Sequence, residues 1–389
     1  MKIYKVKNLF DGKEMRTDCA FAIENEKFLW VGNINEMPYE DNEIIDLGDK
    51  SVIPGLIDCH VHVFPSEKEG NIACMDAMNA ELTVKALDNL QDLLRSGVVA
   101  CRDLGALNSL SIGIEKAQKN GSLKYYPKLI ACGRSLSATG GHGWEMSLEC
   151  DGVDEFSKGT RQVIKDGASV VKIMATGGVN SPGEEQGPPE LTRDEISAVV
   201  REAHKRGKKV AVHTHGATAI KDCTECGVDS IEHGVFMDEE TMDTMKSLGT
   251  FLVPTLSAPY HATIEGIKQE PDNPDHQKSK AVIAQHNSML RKCVEKGVKV
   301  AMGTDAGAPF DPYFGSCYEL ILMSKAGIDN LDVLRIATSN GAELLNLDNL
   351  GYIEKGKEAS FVVVDGSILE EMNNINKNRE VYLKGKKVY

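Results

Sequence analysis

The chain has 389 residues, of which 41% are hydrophobic and 26% are charged, and its formal net charge is -14. This composition indicates a globular protein that is long enough to bury a large core and to form more than one domain. The negative charge argues against a nucleic-acid partner, because phosphate backbones are bound by clustered lysine and arginine side chains. The sequence contains no apolar stretch long enough to span a membrane and no secretory signal. We therefore expect its ten cysteines to be reduced thiols in a cytoplasmic protein.

Strand-like segments separated by turn residues occupy both ends of the chain. Residues 1–52 contain several such segments, and residues 348–389 repeat the pattern around 359–366 and 380–388. Neither end alone supplies enough strands for a stable domain, whereas the two ends together do. We predict one small β-sandwich domain with an N-terminal part, residues 1–52, and a C-terminal part, residues 348–389.

Residues 53–347 alternate apolar, β-branched segments with helix-like segments, such as the one that begins at the N-cap residue Thr192. Nearly continuous apolar strands between helices indicate a parallel sheet that is covered on both faces. Eight strand–helix units fit a (β/α)8 TIM barrel, which takes about 250 residues. The predicted fold class is therefore α/β, with a barrel inserted into the terminal β domain. The predicted strands are 52–62, 98–101, 128–132, 169–174, 209–213, 229–233, 250–255 and 298–305.

In such a barrel, functional groups lie at the C-terminal ends of the strands. His60 and His62 end the first predicted strand one residue apart, so their side chains point to the same face. Neutral imidazoles and carboxylates are typical zinc ligands. Five of the ten histidines lie at strand ends, which favours a metal site over chance placement. The complete set of possible ligands is His60, His62, Lys172, His213, His215, His233 and Asp305.

Lys172 lies between β-branched residues on a predicted buried strand, where an unpaired ammonium is costly. One interpretation is a salt bridge to a carboxylate such as Asp305. The other is that Lys172 has a lowered pKa and reacts with carbon dioxide, giving a carbamate that can bridge two metal ions. Asp305 itself is either a buried capping carboxylate or the proton acceptor beside a metal-bound water.

The fifth predicted strand ends in two histidines with different expected roles. His213 is predicted to bind metal, whereas His215 lies just beyond the strand and either faces substrate or is a loop residue. A metal lowers the pKa of bound water from about 15.7 towards 7. A hydroxide held between two metals would then attack a carbonyl carbon, with Asp305 as general base and then general acid. The predicted reaction is hydrolysis of an amide or a related bond.

This pattern resembles that of the amidohydrolase superfamily, and the likeness covers nearly the whole chain. It implies two divalent metal ions, with Zn2+ as the expected metal, and a carboxylated Lys172 that bridges them. It also implies that His60, His62 and Asp305 bind the more buried ion, and that His213 and His233 bind the more exposed ion. The residues that carry the likeness are the segment 54–62 with its two histidines, Lys172, His213, His233 and Asp305.

Within the superfamily, the chain is similar to Xaa-Pro dipeptidase (prolidase)-like and Xaa-Arg carboxypeptidase-like enzymes, which are related to imidazolonepropionase. In those enzymes the histidine of a Thr-Gly-Gly-His segment contacts the substrate, which implies a substrate-binding role for His142. We expect His215 and the backbone of Gly178 to assist. Proline-specific relatives tend to have tyrosine at the position of His215, so the preferred terminal residue stays open. The segments that carry this likeness are 137–143, 172–179 and 230–234.

The sequence therefore predicts a binuclear zinc amidohydrolase that cleaves the amide bond of dipeptides or N-acyl amino acids, of the Xaa-Pro or Xaa-Arg/Lys type. The alternative is a hydrolase of a cyclic amide, lactone, carbamate or organophosphate with the same metal centre. A deaminase would use one metal and lack Lys172, and a non-catalytic scaffold would have lost ligands. We expect small-molecule substrates, a homo-oligomer, and no nucleic-acid or membrane partner. Three long loops, 135–150, 176–190 and 258–280, are expected to shape specificity.

Overall fold

The computed structural model describes residues 1–39, 44–64, 75, 77–178, 187–269, 271–272 and 274–389, and for 274–279 and 281 it describes the backbone alone. Strands alternate with helices in the middle of the chain and predominate at both ends. The strands are β1 Lys2–Phe10, β2 Met15–Glu24, β3 Lys27–Asn33, β4 Ile44–Asp46, β5 Ser51–Pro54, β6 Leu56–Val61, β7 Val98–Asp103, β8 Lys128–Ala131, β9 Ser135–Ser137, β10 Ser147–Glu149, β11 Val170–Met174, β12 Lys209–Thr214, β13 Ser230–His233, β14 Phe251–Val253, β15 Phe361–Val364, β16 Arg379–Leu383 and β17 Lys386–Lys387.

The helices lie mainly between the strands of the middle segment. They are α1 Asn79–Arg95, α2 Leu110–Lys119, α3 Gly152–Asp166, α4 Arg193–His204, α5 Ala217–Glu225, α6 Glu239–Leu248, α7 Ser257–His261, α8 Ile267–Gln269, α9 Pro274–Lys296, α10 Tyr318–Lys325, α11 Asn330–Ala337 and α12 Ser339–Leu345. A π-helical turn, Ala262–Gly266, joins α7 to α8, and short 3-10 helices span Ile34–Glu36, Leu107–Ser109, Trp144–Met146, Tyr313–Gly315 and Met372–Asn376. In the described part of the chain, none of these helices combines the length and the apolarity needed to cross a bilayer.

Strands from the two ends of the chain form one small β domain, as predicted. In the described residues they make an eight-stranded sheet in the order β17-β16-β15-β5-β1-β2-β3, with β4 beside β1. The two ends meet where β15 pairs antiparallel with β5. Buried aromatic rings fill the core of this domain, and the rings of Phe361 and Tyr382 stack at a centroid distance of 4.3 Å. The boundaries at 52 and 347 stay predictions.

Parallel strands between helices form the predicted (β/α)8 barrel. Strand pairing follows the orders β6-β7-β8 and β10-β9-β11-β12-β13-β14 within the described residues. The third barrel position is divided, because the chain leaves β8 and re-enters at β9, which pairs with β11 at Leu136 and Ile173. This break was not predicted from the apolar segment 128–132.

The predicted eighth strand, 298–305, is an extended segment without a regular ladder. Ala301 N donates to Leu252 O at 2.9 Å on one side, and Cys59 N donates to Met302 O at 2.7 Å on the other. These bonds close the barrel between β14 and β6. Gly303 is required here, because a Cβ at this position would lie 2.3 Å from Val253 Cγ1 and 2.8 Å from His60 Cβ.

The segment 52–62 is also divided, although its apolar sequence predicts one strand. Ser51–Pro54 belongs to the terminal sheet, and Leu56–Val61 belongs to the barrel. Gly55 separates them at a close approach, since a Cβ there would lie 2.4 Å from the methyl carbons of Val99. By contrast, the predicted helix start is confirmed. Thr192 caps α4, and Glu195 completes a capping box with it.

Candidate metal centre

The C-terminal ends of the barrel strands bring the predicted ligand residues together. His60 lies near the end of β6, His213 near the end of β12 and His233 at the end of β13. Two sets of ligand atoms each lie within 4.8 Å of one another, and His233 belongs to both. The two sets are His213, His215 and His233, and His60, His233 and Asp305.

The histidine rings form an unbroken series of contacts across the barrel mouth. The distances between successive ring centroids are 5.4, 5.1, 4.6 and 4.1 Å. The series runs from His62 through His60, His233 and His213 to His142. Residues from four segments that are far apart in sequence therefore line one site.

Three residues at the strand ends have positive φ although none is a glycine. They are His233 (φ 67), Thr255 (φ 54) and Asp305 (φ 69). In a regular strand, Glu232 and His233 would point to opposite faces. The left-handed conformation of His233 lets both side chains contact His60. Such backbone conformations cost about 1–3 kcal/mol each and occur preferentially at functional sites.

Hydrogen bonds fix the orientation of three of these imidazoles. His60 Nδ1 lies 2.9 Å from Glu232 Oε2, His62 Nδ1 lies 3.3 Å from the carbonyl oxygen of Gly105, and His233 Nδ1 lies 2.7 Å from Thr255 Oγ1. Since an ionised carboxylate and a carbonyl oxygen only accept, Nδ1 of His60 and of His62 must be the donor. Nε2 of these two rings is then the nitrogen that has a lone pair for a metal.

The donor set fits a divalent metal such as zinc. Among the described residues, nothing hydrogen-bonds the buried His213 Nε2 or the buried His215 Nδ1. Burial lowers the pKa of His60 to about 4 and the pKa of His215 to about 3, and it holds the pKa of His213 and His233 well below the ordinary value. These rings are therefore neutral, which is the form that binds metal.

Asp305 contacts His60 of β6 and His62, which lies just beyond the end of that strand. Its Oδ1 lies 3.3 Å from His60 Nε2 and 3.2 Å from His62 Nε2. Burial alone would raise the pKa of Asp305, but His60 and His62 outweigh it and lower the pKa to about 2. In turn, Asp305 outweighs burial at His62 and raises the pKa of that ring. Asp305 is thus ionised at neutral pH and is able to accept a proton or to bind a cation.

Lys172 is 1% exposed and lies in the middle of β11. Within the described residues, its Nζ makes no hydrogen bond and no ion pair, so the salt bridge to Asp305 considered above is not formed. Burial lowers the pKa of Lys172 to about 8, against the opposing effect of Glu232 and Asp305. After burial and the neighbouring histidines, the charge of Lys172 further lowers the pKa of His213 and of His233.

The three predicted substrate-binding residues lie at the same end of the barrel. The ring of His142 stacks on the ring of His213 at 4.1 Å, with 24° between the ring planes. The ring of His142 also covers Gly178, because a Cβ there would lie 2.3 Å from His142 Cε1. His215 stacks on His233 at 5.0 Å. Its nitrogen is also near enough to His213 and His233 to act as a ligand together with them.

The three predicted specificity loops differ in structure. Residues 135–150 contain the short strands β9 and β10, with Ser135 Oγ and Ser147 Oγ 2.7 Å apart. For 176–190, the described residues are 176–178 and 187–190, and the rest of that prediction, including the backbone at 179, lies outside the described residues. The third prediction, a long loop at 258–280, is wrong, because the described part of this segment is largely helical.

Sequence analysis missed a buried charged pair next to the histidines. Arg102 and Glu232 lie inside β7 and β13, and Arg102 Nη2 is 2.8 Å from Glu232 Oε1. Burial would raise the pKa of Glu232, but Arg102 and His60 outweigh it and lower the pKa to about 2. The signal that could have revealed the pair was a charged residue inside an otherwise apolar strand on each of the two segments.

The fold and the site together define a class, the α/β-barrel hydrolases with a histidine-rich metal site. Comparison with known proteins makes this specific, since the model of the amidohydrolase family matches residues 51–388. The chain belongs to the amidohydrolase family. It is therefore a hydrolase that acts on carbon–nitrogen bonds, and the predicted family, fold class and enzyme class are confirmed.

Individual relatives cover nearly all of the chain. A Xaa-Pro dipeptidase with methionine bound in its active site is 31% identical, with a TM-score of 0.89 over 99% of each chain. A prolidase complexed with N-methylphosphonate-L-proline is 28% identical, with a TM-score of 0.88 over 100% of this chain and 99% of the prolidase. An ochratoxinase of Aspergillus niger is 25% identical over 397 residues, covering 93% of this chain and 80% of that protein.

Proposed function

We propose that this chain is a binuclear zinc amidohydrolase that cleaves the amide bond of dipeptides or N-acyl amino acids. The observation that carries the proposal is the position of His233 between two sets of possible ligands. Because His233 belongs to both sets, two ions bound by these sets would lie close together. Lys172, which is 1% exposed and has a lowered pKa, would supply the group that bridges them.

The proposed ligand roles follow the contacts of the site. His60, His62 and Asp305 would hold one ion, since Asp305 Oδ1 lies within 3.3 Å of both imidazoles. His213 and His233 would hold the other, and the unpartnered Nε2 of His213 supports this role. The neutral amine of Lys172 would react with carbon dioxide, losing a proton, to form the carbamate that bridges the two ions. The lowered pKa of Lys172, about 8, increases the fraction of that amine at neutral pH.

Two divalent ions in this site would activate water at neutral pH and polarise the scissile carbonyl. The chain itself would supply the proton transfers. Asp305, ionised and in contact with His60 and His62, would accept a proton and then deliver one to the leaving amine. His142, His215 and the backbone of Gly178 would bind the substrate beside His213. The burial of these side chains would hold the groups in place before substrate arrives.

The choice of substrate class is supported by the relatives. The dipeptidase and the prolidase that match nearly the full length of the chain are named for Xaa-Pro substrates or bind a proline derivative. We propose that a dipeptide or N-acyl amino acid of the Xaa-Pro or Xaa-Arg/Lys type binds here. The other class, a cyclic amide, lactone, carbamate or organophosphate, is the alternative that the substrate screen decides.

Three broader predictions accompany this proposal. A cytoplasmic location is supported by the described cysteines, which are all free thiols. Assembly into a homo-oligomer, without nucleic-acid or membrane partners, stays a prediction. The division into a barrel of residues 53–347 and a β domain of residues 1–52 and 348–389 is likewise proposed.

A substrate screen with zinc-loaded protein tests the proposal. The panel should contain dipeptides with C-terminal Pro, Arg and Lys, N-acyl amino acids, and cyclic amides and lactones. We expect hydrolysis in the first two classes, loss of activity after chelation, and recovery on adding zinc. Asp305→Asn should abolish turnover, whereas His204→Ala should not, because His204 lies on α4 and pairs with Asp229. Activity on cyclic substrates alone, or activity without metal, would contradict the proposal.

A further inference from the structure

The buried pair of Arg102 and Glu232 connects three barrel strands beside the candidate metal centre. The two side chains are 1% and 0% exposed. Besides its 2.8 Å ion pair with Glu232, the guanidinium donates to Cys59 O at 2.6 Å and to Ser230 Oγ at 3.1 Å. Because Cys59 lies on β6 and Ser230 on β13, Arg102 holds β7 to two of the strands that carry candidate ligands.

The second oxygen of Glu232 binds the imidazole of His60. Glu232 Oε2 lies 2.9 Å from His60 Nδ1, while Glu232 Oε1 accepts from Arg102 and from Ser230 Oγ at 2.5 Å. Both oxygens therefore have defined partners. On the far side of the ring, His60 Nε2 lies 3.3 Å from Asp305 Oδ1. Two carboxylates thus compete for the single proton of a neutral His60.

The stability of the fold does not by itself account for this pair. Removing two charges from water costs about as much as their attraction returns, and well-packed apolar side chains of similar volume are often equally or more stabilising. The positions of Arg102 and Glu232 could hold apolar side chains, as the positions of Val98 and Ile231 on the same strands do. An apolar pair could not, however, accept a hydrogen bond from His60 Nδ1.

We propose that Glu232, held in place by Arg102, is a positioning residue that keeps the proton of His60 on Nδ1, so that Nε2 is available to a metal ion. The proposal rests on the role of His60 as a metal ligand in the proposed function. A carboxylate that accepts from a ligating histidine fixes its tautomer, and its loss typically lowers metal affinity about 10–100-fold. Without Glu232, the proton would move to Nε2 and bond to Asp305.

The test compares the double variant Arg102→Met/Glu232→Leu, the single variant Glu232→Gln and the wild type. The control is Glu115→Gln, since Glu115 is also a buried carboxylate but binds Ala131 N and Ser169 Oγ. Three quantities are measured: the tautomer of His60 by 15N NMR in metal-free protein, the zinc affinity by competition with a chelator, and the thermal stability. If the double variant does not fold, Glu232→Gln gives the same comparison, because its neutral amide accepts from Nδ1 more weakly than the Asp305 carboxylate accepts from Nε2.

We expect the double variant to retain the thermal stability of the wild type, to carry the His60 proton on Nε2, and to bind zinc about 10–100-fold more weakly. Glu115→Gln should leave tautomer and zinc affinity unchanged. An unchanged His60 tautomer in both Glu232 variants would overturn the proposal, as would an unchanged zinc affinity. A wild type that binds no zinc would contradict the proposed function instead, while the tautomer measurement would still decide the role of Glu232.

Discussion

The imidazole of His142 stacks on the imidazole of His213, with ring centroids 4.1 Å apart. His142 follows the third barrel position, and His213 ends the fifth strand, so a residue proposed to bind substrate covers a residue proposed to bind metal. A substrate that approaches a metal ion bound to His213 from this side must therefore pass or displace the His142 ring. This relationship makes His142 the most informative position for separating substrate binding from metal binding.

Replacing His142 with alanine should raise KM for the preferred substrate about tenfold, which is the loss of one good hydrogen bond. Zinc content should stay at the wild-type value, since His142 is not a proposed ligand. Steady-state kinetics and metal analysis on the same preparations check both statements. His204→Ala is the matched control, because it removes an exposed histidine far along α4. Loss of zinc from His142→Ala would show that the residue is a ligand.

Gly178→Ala should reproduce the His142→Ala phenotype. The added Cβ would lie 2.3 Å from His142 Cε1, so the ring must move away from its place over His213. The effects of the two substitutions on KM should not add, because both remove the same contact. A double-mutant cycle in KM measures this. Fully additive effects would mean that Gly178 acts independently of His142.

Lys172 should make the assembly of the metal centre depend on carbon dioxide. At fixed dissolved carbon dioxide, reconstitution of the metal-free protein with zinc should accelerate as the pH rises towards and through the pKa of about 8, since the reactive form is the neutral amine. Lys172→Ala should lose this dependence and most of the activity. Lys209→Ala, which removes a lysine that bonds the carbonyl of Leu344, serves as control. Reconstitution that ignores carbon dioxide in the wild type would argue against a carbamate.

The terminal β domain should be essential for stability, because it joins both ends of the chain. Phe361→Ala removes a buried ring that stacks on Tyr382 at 4.3 Å and contacts Phe21 at 5.3 Å. Because residues from both termini fill this core, we expect the substitution to lower the free energy of unfolding by about 3–5 kcal/mol. Chemical denaturation measures the change, and Tyr125→Ala, at an exposed position, should cost far less. Equal effects of the two substitutions would contradict the packing described.

The sequence predicted the barrel and the meeting of its candidate ligands because both follow from the order of strands and helices along the chain. Apolar, β-branched segments between helices identify parallel strands, and parallel strands end on one side of the barrel. His60, His213 and His233 therefore had to meet there. The alternation of side chains along a strand was sufficient to pair His60 with His62 on the same face.

What the sequence could not provide was everything that depends on close approach between segments. The breaks at Gly55 and within 298–305 follow from contacts with Val99 and Val253 that only the folded chain shows. The hydrogen bonds that link Glu232 to Arg102 and to His60 join positions 130 and 172 residues apart. The helices in the described part of 258–280 were not predicted, because the length of a connection alone does not distinguish a loop from helices.

The most direct test of the binuclear site is diffraction from zinc-loaded crystals, recorded at the zinc absorption edge. The account predicts two anomalous peaks, one among His60, His62 and Asp305 and the other beside His213 and His233. It also predicts density that extends from Lys172 Nζ between them. A single peak, or a bare Lys172 amine with two fully occupied metals, would contradict the proposed centre.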